Sequence, residues 1–534
     1  MSRDKKISIS KLIRKHLGLT ITVGLLLVAI SFGSVAFAYL LMDLLQIKGT
    51  TNIGFILMQK AAILAVIAIA YSVLRYISAK LQARLVKTWV LESKDLISDK
   101  IINMNYFDVS HTPAGEFVSW YANDIEKIIE NYFTPFFSVI SNATLSVFTI
   151  TAIFSINVLL GFCTLGLLLL MMIFPMFAGR QVSIATNDLS KKQESYMESL
   201  SGTIMGYEQC KNFGAFGWMR SRIAASNVMV EESRYTYQKK YAVVQNGMIF
   251  LNNISQLILI VLSVYLIHKG VVGLGVVLSI VTLANNFFNS TTGLLETSVL
   301  FSSVKGILEK LTVQDKKNEN AYDQELYNIE VKGGKAVLGD REIELQNVEI
   351  EKNDKCLILG ASGKGKSTLL KLILGKIQSY TGLVKVNDHT IENLLGGDFS
   401  DRITYLTQEP YIFNASIRDN ITLGKTYSDD ELWLALKKAK IDQFVKALPE
   451  GLDTNIESMG KNVSGGEKQR IVLSRGLVRK NSVLILDEAL SAVDKETADE
   501  IMDGLVNQLE ITLLMISHHL GMGEETKFNK VIRF

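Results

Sequence analysis

The sequence predicts a chain of two domains, an all-α membrane domain of six spans followed by an α/β domain. Two observations carry this: long charge-free apolar runs fill the N-terminal half, and a glycine-rich loop joins a strand pattern to a helix pattern further on. At 534 residues the chain has room for at least two domains. We expect a transmembrane domain at 1–311, a polar linker at 312–325 and a second domain at 326–534.

The composition excludes several classes of protein. Hydrophobic residues make up 48% of the chain, charged residues 20%, and there are only 5 prolines, so a disordered or collagen-like chain is excluded. The net charge of +3 is too small to suggest a nucleic-acid partner. Cys163, Cys210 and Cys356 are too far apart in sequence to indicate a disulfide framework or a metal-ligand cluster.

Six segments are candidate membrane spans, since a spanning helix needs about 20 apolar residues. Asn157 marks the turn inside the longest run. The start of the predicted span at 61–74 is ambiguous because of Lys60. Either Lys60 snorkels to the interface, or the span is longer and Lys60 lines something polar. The runs are 17–42, 61–74, 131–179 (two spans), 241–267 and 270–295.

The basic residues predict the orientation. Six Lys and Arg residues precede the first span, which places the N-terminus in the cytoplasm, and six spans return the chain to that side. The long inner loops, at about 75–130 and 180–240, are charged and poor in proline, so we read them as helices that extend into the cytoplasm. We therefore expect an integral membrane protein, surrounded by lipid in a bacterial cell membrane, with a cytoplasmic second domain.

A phosphate-binding loop follows the predicted strand Lys355–Leu359. The pattern is the P-loop in its strand–loop–helix setting, where backbone N–H groups and a helix N-terminus surround phosphates. Lys366 is expected to reach the β- and γ-phosphates of ATP, and the Ser367 hydroxyl to bind Mg²⁺. The predicted nucleotide-binding residues of the loop are Gly360, Ser362, Gly363, Lys364, Gly365, Lys366, Ser367 and Thr368.

A second strand, Val483–Leu486, ends in two acidic residues. An aspartate at the tip of a buried strand beside a P-loop suits a water-mediated Mg²⁺ ligand, which assigns that role to Asp487. The next residue, Glu488, is placed to polarise the attacking water.

Between the two strands, Val463-Ser-Gly-Gly-Glu467 resembles the Leu-Ser-Gly-Gly-Gln signature of the ATP-binding cassette (ABC) family. The resemblance implies that Ser464, Gly465 and Gly466 cap the γ-phosphate of ATP held on a partner subunit, so one cassette cannot complete a site and a dimer is required. Val463 and Glu467 depart mildly from the family pattern.

Further motifs follow in the family's order. Gln408 resembles the Q-loop glutamine, which senses Mg²⁺. Asp494, in Ser491-Ala-Val-Asp494, resembles the D-loop, and His518 resembles the switch histidine that contacts the γ-phosphate. The resemblance thus implies Glu488, His518 and Gln408 as catalytic residues, and Ser367, Gln408 and Asp487 around Mg²⁺.

Two departures from the family pattern stand out. The aromatic residue that stacks on adenine in exporter cassettes is missing, since that region reads Ala336-Val-Leu-Gly-Asp340. The Gly-Glu pair expected before the signature is absent from Ile456-Glu-Ser-Met-Gly460, where the glutamate is either displaced by one position or replaced by Ser458.

Six spans followed by one cassette resemble the half-transporter layout of type IV ABC exporters. Tyr106-Phe-Asp108 and the stretch from Gly115-Glu116 to Asn123-Asp124 are similar to the family's segment around its first coupling helix. The implied mechanism is ATP-driven alternating access. Because the cassette motifs needed for hydrolysis are present, a homodimer is favoured, with a heterodimer as the alternative.

Polar residues at helical spacing lie in the last two predicted spans and are candidates for a cargo cavity. They favour a polar or amphipathic cargo such as a peptide. The alternatives are interhelical hydrogen-bond glue, a lipid or drug-like cargo, import on an exporter-type fold, a membrane-tethered regulatory ATPase or an ATP-gated channel. The candidates are Gln245, Asn252, Gln256, Asn285, Asn289 and Thr292.

Overall fold

A computed structural model describes residues 7, 9–44, 53–104, 106–312, 326, 328–338, 341–361, 363–377, 379–387, 389–391, 403–457, 462–508, 510–516 and 524–534. The chain forms two compact units. One consists of Arg3–Ile102 and Ala114–Gln314. The other consists of Asp315–Phe534 together with Met1–Ser2 and Asn103–Pro113. We call them the helical unit and the cassette unit.

The helical unit is built from long helices, three of which have 48 to 53 residues. Parts of both predicted inner loops are helical, since Ile53–Asn103 extends into the first loop and Val158–Met205 and Phe216–His268 extend into the second. The helical assignment is interrupted at 112–113 and 213–215. Two π-helical turns, Trp120–Asp124 and Ile129–Phe133, interrupt the helix that leads into the third span. The main helices are Ile9–Lys15, Leu17–Leu44, Ile53–Asn103, Ala114–Ser119, Ile125–Ile128, Thr134–Ile156, Val158–Met205, Tyr207–Asn212, Phe216–His268, Val276–Ser303 and Lys305–Lys310.

Within the described residues, four helices are long and apolar enough to cross a membrane, and a fifth candidate is the bent pair Val158–Phe174 and Gly179–Met205. Pro175 lies at this 40° bend, and a proline lacks the N–H that would continue the helical ladder. The sixth predicted span, 270–295, overlaps the helix Val276–Ser303, which is not among the candidates. The number of six spans therefore remains a prediction.

The structure bears on two details of the predicted spans. Asn157 lies in extended backbone between two helices and caps the second one, as its Oδ1 accepts hydrogen bonds from Leu159 N (2.9 Å) and Leu160 N (3.4 Å). Lys60 lies inside the helix Ile53–Asn103, and its Nζ is 2.7 Å from Asp43 Oδ2. The helix therefore begins before Lys60, and Lys60 has an acidic partner in the preceding helix.

The helices of the helical unit pack closely where side chains are small. A Cβ added to Gly275 would lie 2.1 Å from the backbone oxygen of Met42, so only glycine fits there. Close by, Ser279 Oγ donates to Ala38 O at 3.0 Å. Small residues and short hydroxyl bonds of this kind are typical of helix contacts inside membranes.

Among the described residues, the cassette unit has eleven strands. They are β1 (Asn328–Lys332), β2 (Lys335–Leu338), β3 (Arg341–Glu344), β4 (Val348–Glu351), β5 (Lys355–Leu359), β6 (Leu383–Val386), β7 (His389–Thr390), β8 (Ile403–Leu406), β9 (Val483–Asp487), β10 (Thr512–Ile516) and β11 (Lys530–Arg533). The central sheet is parallel, in the order β11-β5-β10-β9-β8. An antiparallel sheet, β4-β1-β6-β7, and the hairpin β2-β3 complete the unit.

The central strands are buried on both faces, as parallel strands usually are. Along β9, Leu484 and Leu486 enter one core cluster, while Val483 and Ile485 enter the other. Helices cover the faces of this sheet, so the sequence of each strand can be a continuous apolar run. The main cassette helices are Lys366–Ile373, Ile417–Thr422, Asp429–Lys438, Asp442–Ala447, Gly465–Leu477 and Lys495–Val506.

Candidate functional site

Predicted site residues of the cassette unit gather where three parallel strands end. The P-loop follows β5, Asp487 and Glu488 end and follow β9, and Gln408 follows β8. In open α/β sheets, ligands bind at the carboxyl ends of the strands. The sequence brings these residues to one edge because β10 pairs with both β5 and β9, and β9 pairs with β8.

The P-loop contains three glycines with positive φ, Gly360 at 153°, Gly363 at 80° and Gly365 at 98°. A Cβ on Gly365 would also lie 2.6 Å from Ile343 Cγ2, so a larger residue is excluded by both backbone and space. Lys366 starts the helix Lys366–Ile373, and its Nζ donates to Gly360 O (2.7 Å) and Ala361 O (2.9 Å). The Lys366 ammonium group is therefore bound by carbonyl oxygens of the P-loop itself, and a phosphate could replace these carbonyls as its partner.

Asp487 is buried, and hydroxyl groups occupy both of its carboxylate oxygens. Ser367 Oγ donates to Oδ1 at 3.3 Å, and Tyr405 OH donates to Oδ2 at 3.0 Å. Tyr405 lies on β8, and the ammonium of Lys376 is 4.7 Å from its ring centroid. The carboxylate is thus fixed from the P-loop on one side and from the neighbouring strand on the other.

Glu488 has a strained backbone, with φ at 53°, a region that residues other than glycine rarely adopt. Its N–H donates to Ile516 O at the end of β10 across 3.2 Å. Gln408 Nε2 donates to Glu488 Oε2 at 2.8 Å. Strained residues of this kind cluster at active sites, where the surrounding structure fixes them.

The signature segment opens the helix Gly465–Leu477. Ser464 Oγ accepts from Glu467 N at 3.3 Å, while Glu467 Oε2 accepts from Ser464 N at 2.7 Å. This reciprocal pair is a capping box. The capping box gives a local structural reason for a glutamate at position 467, which is one of the two departures from the family signature.

Gln469, on the same helix, reaches the segment that contains Asp494. Its Oε1 accepts from Ala492 N at 2.9 Å, and its Nε2 donates to Ser491 Oγ at 3.2 Å. Asp494 caps the helix Lys495–Val506 by accepting from Thr497 N at 3.0 Å. That backbone hydrogen bond is the main reason why the pKa of Asp494 lies below its usual range.

Other predicted residues of the P-loop and of the switch region are placed as follows. Lys364 is exposed and Thr368 is buried. Ser362 and His518 lie outside the described residues. The structure thus brings together Lys366, Ser367, Asp487, Glu488 and Gln408, and it holds Ser464 and Asp494 at helix caps.

Two residues of this region were not singled out from the sequence, Tyr405 and Gln469. Neither residue belongs to the motifs identified from the sequence. A tyrosine three residues before the predicted Q-loop glutamine is a signal in principle. A buried glutamine gives no such signal, because burial cannot be read from its type.

The candidate cargo residues of the helical unit form a network of side-chain amides. Gln256 Nε2 donates to Asn252 Oδ1 (3.2 Å) and to Asn285 Oδ1 (3.3 Å), which joins Phe216–His268 to Val276–Ser303. Asn289 Nδ2 donates to Asn285 Oδ1 at 3.0 Å. Asn289 is exposed and the other three are partly exposed. Gln245 is exposed and Thr292 partly exposed, and neither belongs to this network.

Two family models match the chain. The model of the ABC transporter transmembrane region matches residues 20–291, and the model of the ABC transporter matches residues 344–491. The chain therefore belongs to the ABC transporter family. As such it is an integral membrane ATPase that binds ATP, couples its hydrolysis to transport across a lipid membrane and works as a dimer of half-transporters.

Individual proteins agree with this assignment. A probable ABC transporter ATP-binding/permease protein of Haemophilus influenzae is 27% identical over 481 residues, which is 85% of this chain and 84% of that protein. The microcin-J25 export ATP-binding/permease protein of Escherichia coli is 39% identical over 169 residues, 31% of this chain and 29% of that protein.

The fold also matches a solved structure, that of a bacterial Atm1-family ABC exporter with ATP bound. The TM-score is 0.83, and the match covers 99% of this chain and 94% of that chain. At 18% identity it establishes the likeness of the fold alone.

Proposed function

We propose that the protein is an ATP-driven exporter of a bacterial cell membrane that works by alternating access as a homodimer, with a peptide or another polar or amphipathic molecule as cargo. The observation that carries the proposal is the meeting of Lys366, Asp487, Glu488 and Gln408 at one edge of the parallel sheet. A complete set of hydrolytic groups in one chain supports two competent sites in a homodimer.

ATP lies along the P-loop in this proposal. Lys366 leaves the carbonyls of Gly360 and Ala361 and binds the β- and γ-phosphates. Glu488 orients the attacking water, and catalysis consists of positioning and charge stabilisation. His518, although outside the described residues, is assigned to the γ-phosphate by its place after β10.

Mg²⁺ fits the donors at this site. Ser367 Oγ and Asp487 Oδ1 are 3.3 Å apart, and a hydroxyl and a carboxylate are oxygen ligands that Mg²⁺ accepts. The structure groups no three His, Cys, Asp or Glu residues as a metal cage among those it describes. This agrees with a cation bound mainly by phosphates and waters, which supplies charge neutralisation at the phosphates when ATP is bound. The side-chain oxygen of Gln408 would be a further oxygen ligand, while its Nε2 keeps the hydrogen bond to Glu488.

The dimer follows from the signature segment. Ser464, Gly465 and Gly466 lie at the N-terminus of a 13-residue helix, where backbone N–H groups and the helix dipole favour an anion. We propose that this turn caps the γ-phosphate of ATP bound to the partner subunit.

The amide network supports a polar cargo. It contains four uncharged amide groups on two helices, and amide side chains can match the donors and acceptors of a peptide backbone. Two transport proteins that are similar to part of this sequence are named after peptide cargoes, which are microcin J25 and lactococcin A. We carry that cargo class over to this chain as part of the proposal.

The test is ATP hydrolysis by the purified protein alone in lipid nanodiscs, with a panel of peptides, lipids and dyes. Turnover that Glu488→Gln abolishes is expected, together with stimulation by one class of cargo. Inverted vesicles should accumulate the same compound in an ATP-dependent way. Glu450→Gln, which alters an exposed glutamate in the same domain, is the matched control and should keep full turnover.

Two results would contradict the proposal. Absence of turnover in the wild-type protein alone would overturn the homodimer and point to a missing partner chain. Turnover that no compound stimulates, with no accumulation in vesicles, would point to a regulatory ATPase.

A further inference from the structure

The buried side chain of Gln469 links two segments of the cassette unit that are far apart in sequence. Only 5% of the residue is exposed. Its amide accepts from Ala492 N (2.9 Å) and donates to Ser491 Oγ (3.2 Å), while Ser491 and Ala492 themselves are exposed. A buried amide therefore holds an exposed loop.

The signature glycines pack against the same loop. A Cβ added to Gly466 would lie 2.7 Å from the backbone oxygen of Ala492, and one added to Gly465 would lie 3.5 Å from Ala492 Cβ. Gly466 is not in a positive-φ conformation, so its constraint is space and not backbone geometry. This close approach is independent of the Gln469 hydrogen bonds and points to the same contact.

The loop continues directly to Glu488. Ser491 N donates to Glu488 O at 3.1 Å, in the turn that follows β9. A short path of contacts thus runs from the signature turn through Gln469 and Ser491 to Glu488. All of these residues belong to one cassette.

We propose that Gln469 is a positioning residue that joins the signature turn and the Ser491–Asp494 loop into one element. This inference rests on the proposed function, in which the signature turn meets the nucleotide of the partner subunit while Glu488 serves the nucleotide of its own subunit. Gln469 then connects the two nucleotide sites. When the signature turn caps the nucleotide of the partner subunit, Gln469 fixes the Ser491–Asp494 loop beside Glu488, which acts on the nucleotide of its own subunit.

We expect Gln469 to matter more for the position of the Ser491–Asp494 loop than for the stability of the fold. Because Ala492 is exposed, water can replace the amide oxygen of Gln469 when that side chain is lost. The fold should tolerate the change, while the loop loses the contact that fixes it. A residue that only supported the fold would show the opposite behaviour.

The experiment uses Gln469→Met in the full-length protein in nanodiscs. Methionine is similar in size and apolar, so both hydrogen bonds are lost without a large cavity. Without nucleotide, we expect faster hydrogen exchange in the peptide that contains Ala492. With Mg²⁺ and ATP, we expect kcat to fall about tenfold, the Hill coefficient for ATP to move towards one and KM for ATP to change less than kcat.

Gln443→Met is the matched control, because Gln443 is exposed on another helix of the same unit, and it should change none of these readouts. Ser491→Ala removes only one of the two bonds and should give a smaller effect in the same direction. It also keeps the test decisive if Gln469→Met does not fold.

Unchanged hydrogen exchange, kcat and Hill coefficient in folded Gln469→Met, or in Ser491→Ala when that variant alone folds, would overturn the inference. Loss of thermal stability with unchanged kcat and Hill coefficient would also overturn it, since that result describes a structural glutamine. Absence of ATP turnover in the wild-type protein is a different result, because it refutes the proposed function and leaves the hydrogen-exchange comparison to decide the contact itself.

Discussion

Gln408 Nε2 donates a hydrogen bond to Glu488 Oε2 across 2.8 Å, although the two residues are 80 positions apart in sequence. Gln408 follows β8 and Glu488 follows β9, so the pairing of these two strands creates the contact. The bond holds the carboxylate that we propose to orient water. It also ties the residue proposed to sense Mg²⁺ to the residue proposed to act on water.

Gln408→Leu removes the amide from this pair. We expect kcat for ATP hydrolysis to fall about tenfold because Glu488 loses the neighbour that orients it, while affinity for ATP in the presence of a chelator changes little. The measurement is steady-state hydrolysis beside equilibrium binding of ATP. Gln443→Leu, at an exposed glutamine, should match the wild type. Equal kcat values in both variants would contradict a role of Gln408 in orienting Glu488.

Tyr405→Phe tests the hydroxyl that fixes Asp487. The substitution keeps the ring and its contact with Lys376 and removes only the bond to Asp487 Oδ2. Since partners that orient metal ligands affect metal affinity, we expect the Mg²⁺ concentration for half-maximal hydrolysis to rise by about tenfold.

Calorimetric binding of ATP separates this effect from general damage to the site. Affinity for ATP should fall with Mg²⁺ present and stay unchanged with a chelator present. Tyr411→Phe is the matched control, since Tyr411 is 63% exposed. An equal loss of affinity with and without Mg²⁺ would show that Tyr405 supports the nucleotide site as a whole.

The sequence could predict the parts of this site that depend on local pattern. The strand Lys355–Leu359 has the predicted bounds, and the predicted strand Val483–Leu486 is one residue longer in the structure, because short apolar runs before a glycine-rich loop or an acidic pair are characteristic. The Tyr405 and Gln469 contacts could not be predicted, since each depends on which strand or loop lies beside another.

The helical unit shows the same division. The charge-free runs fall on helices of the helical unit, and Asn157 was identified as a turn because asparagine caps helices well. The hydrophobic pattern could not show that Lys60 pairs with Asp43, since Asp43 follows a different run. The predicted span at 270–295 rested on the absence of charge, and the asparagines of the helix Val276–Ser303 explain why its composition alone does not identify it as a span.

Cys356 makes the stability of the cassette unit dependent on pH at the alkaline end. Burial on β5 raises the pKa of its thiol from 9.0 to about 12. The folded protein therefore keeps a proton that the unfolded chain releases. The stability that this provides is fully present below pH 9.0 and is lost as the pH rises towards about 12.

We accordingly expect Tm of the wild-type protein to fall more steeply between about pH 8 and 10.5 than Tm of Cys356→Ala. The comparison removes the contribution of lysines and tyrosines, which titrate in both proteins. Alkylation by iodoacetamide should also be slow at Cys356 across this range, since a buried thiol is inert. Parallel Tm curves would show that the thiol titrates alike in both states.

Asn289 distinguishes cargo recognition from helix packing in the amide network. Asn285 Oδ1 accepts from both Gln256 and Asn289, so Asn285→Leu removes two hydrogen bonds of the network and should lower Tm whatever the network does. Asn289 is the exposed end of the network, and its loss removes only one hydrogen bond. Asn289→Leu is therefore the more informative change.

We expect Asn289→Leu to keep the wild-type Tm and basal hydrolysis and to weaken stimulation by a neutral peptide about tenfold, because an exposed amide contributes to binding and little to folding. Asn253→Leu, at an exposed asparagine on a different face of the neighbouring helix, should leave stimulation intact. If Asn289→Leu lowers Tm and leaves stimulation unchanged, the amides join helices and the cargo binds elsewhere.

The uncharged character of all four amides adds a further expectation. Peptides with a charged side chain should stimulate hydrolysis less than neutral peptides of equal length, because no charge in the network offsets the desolvation of the charged side chain.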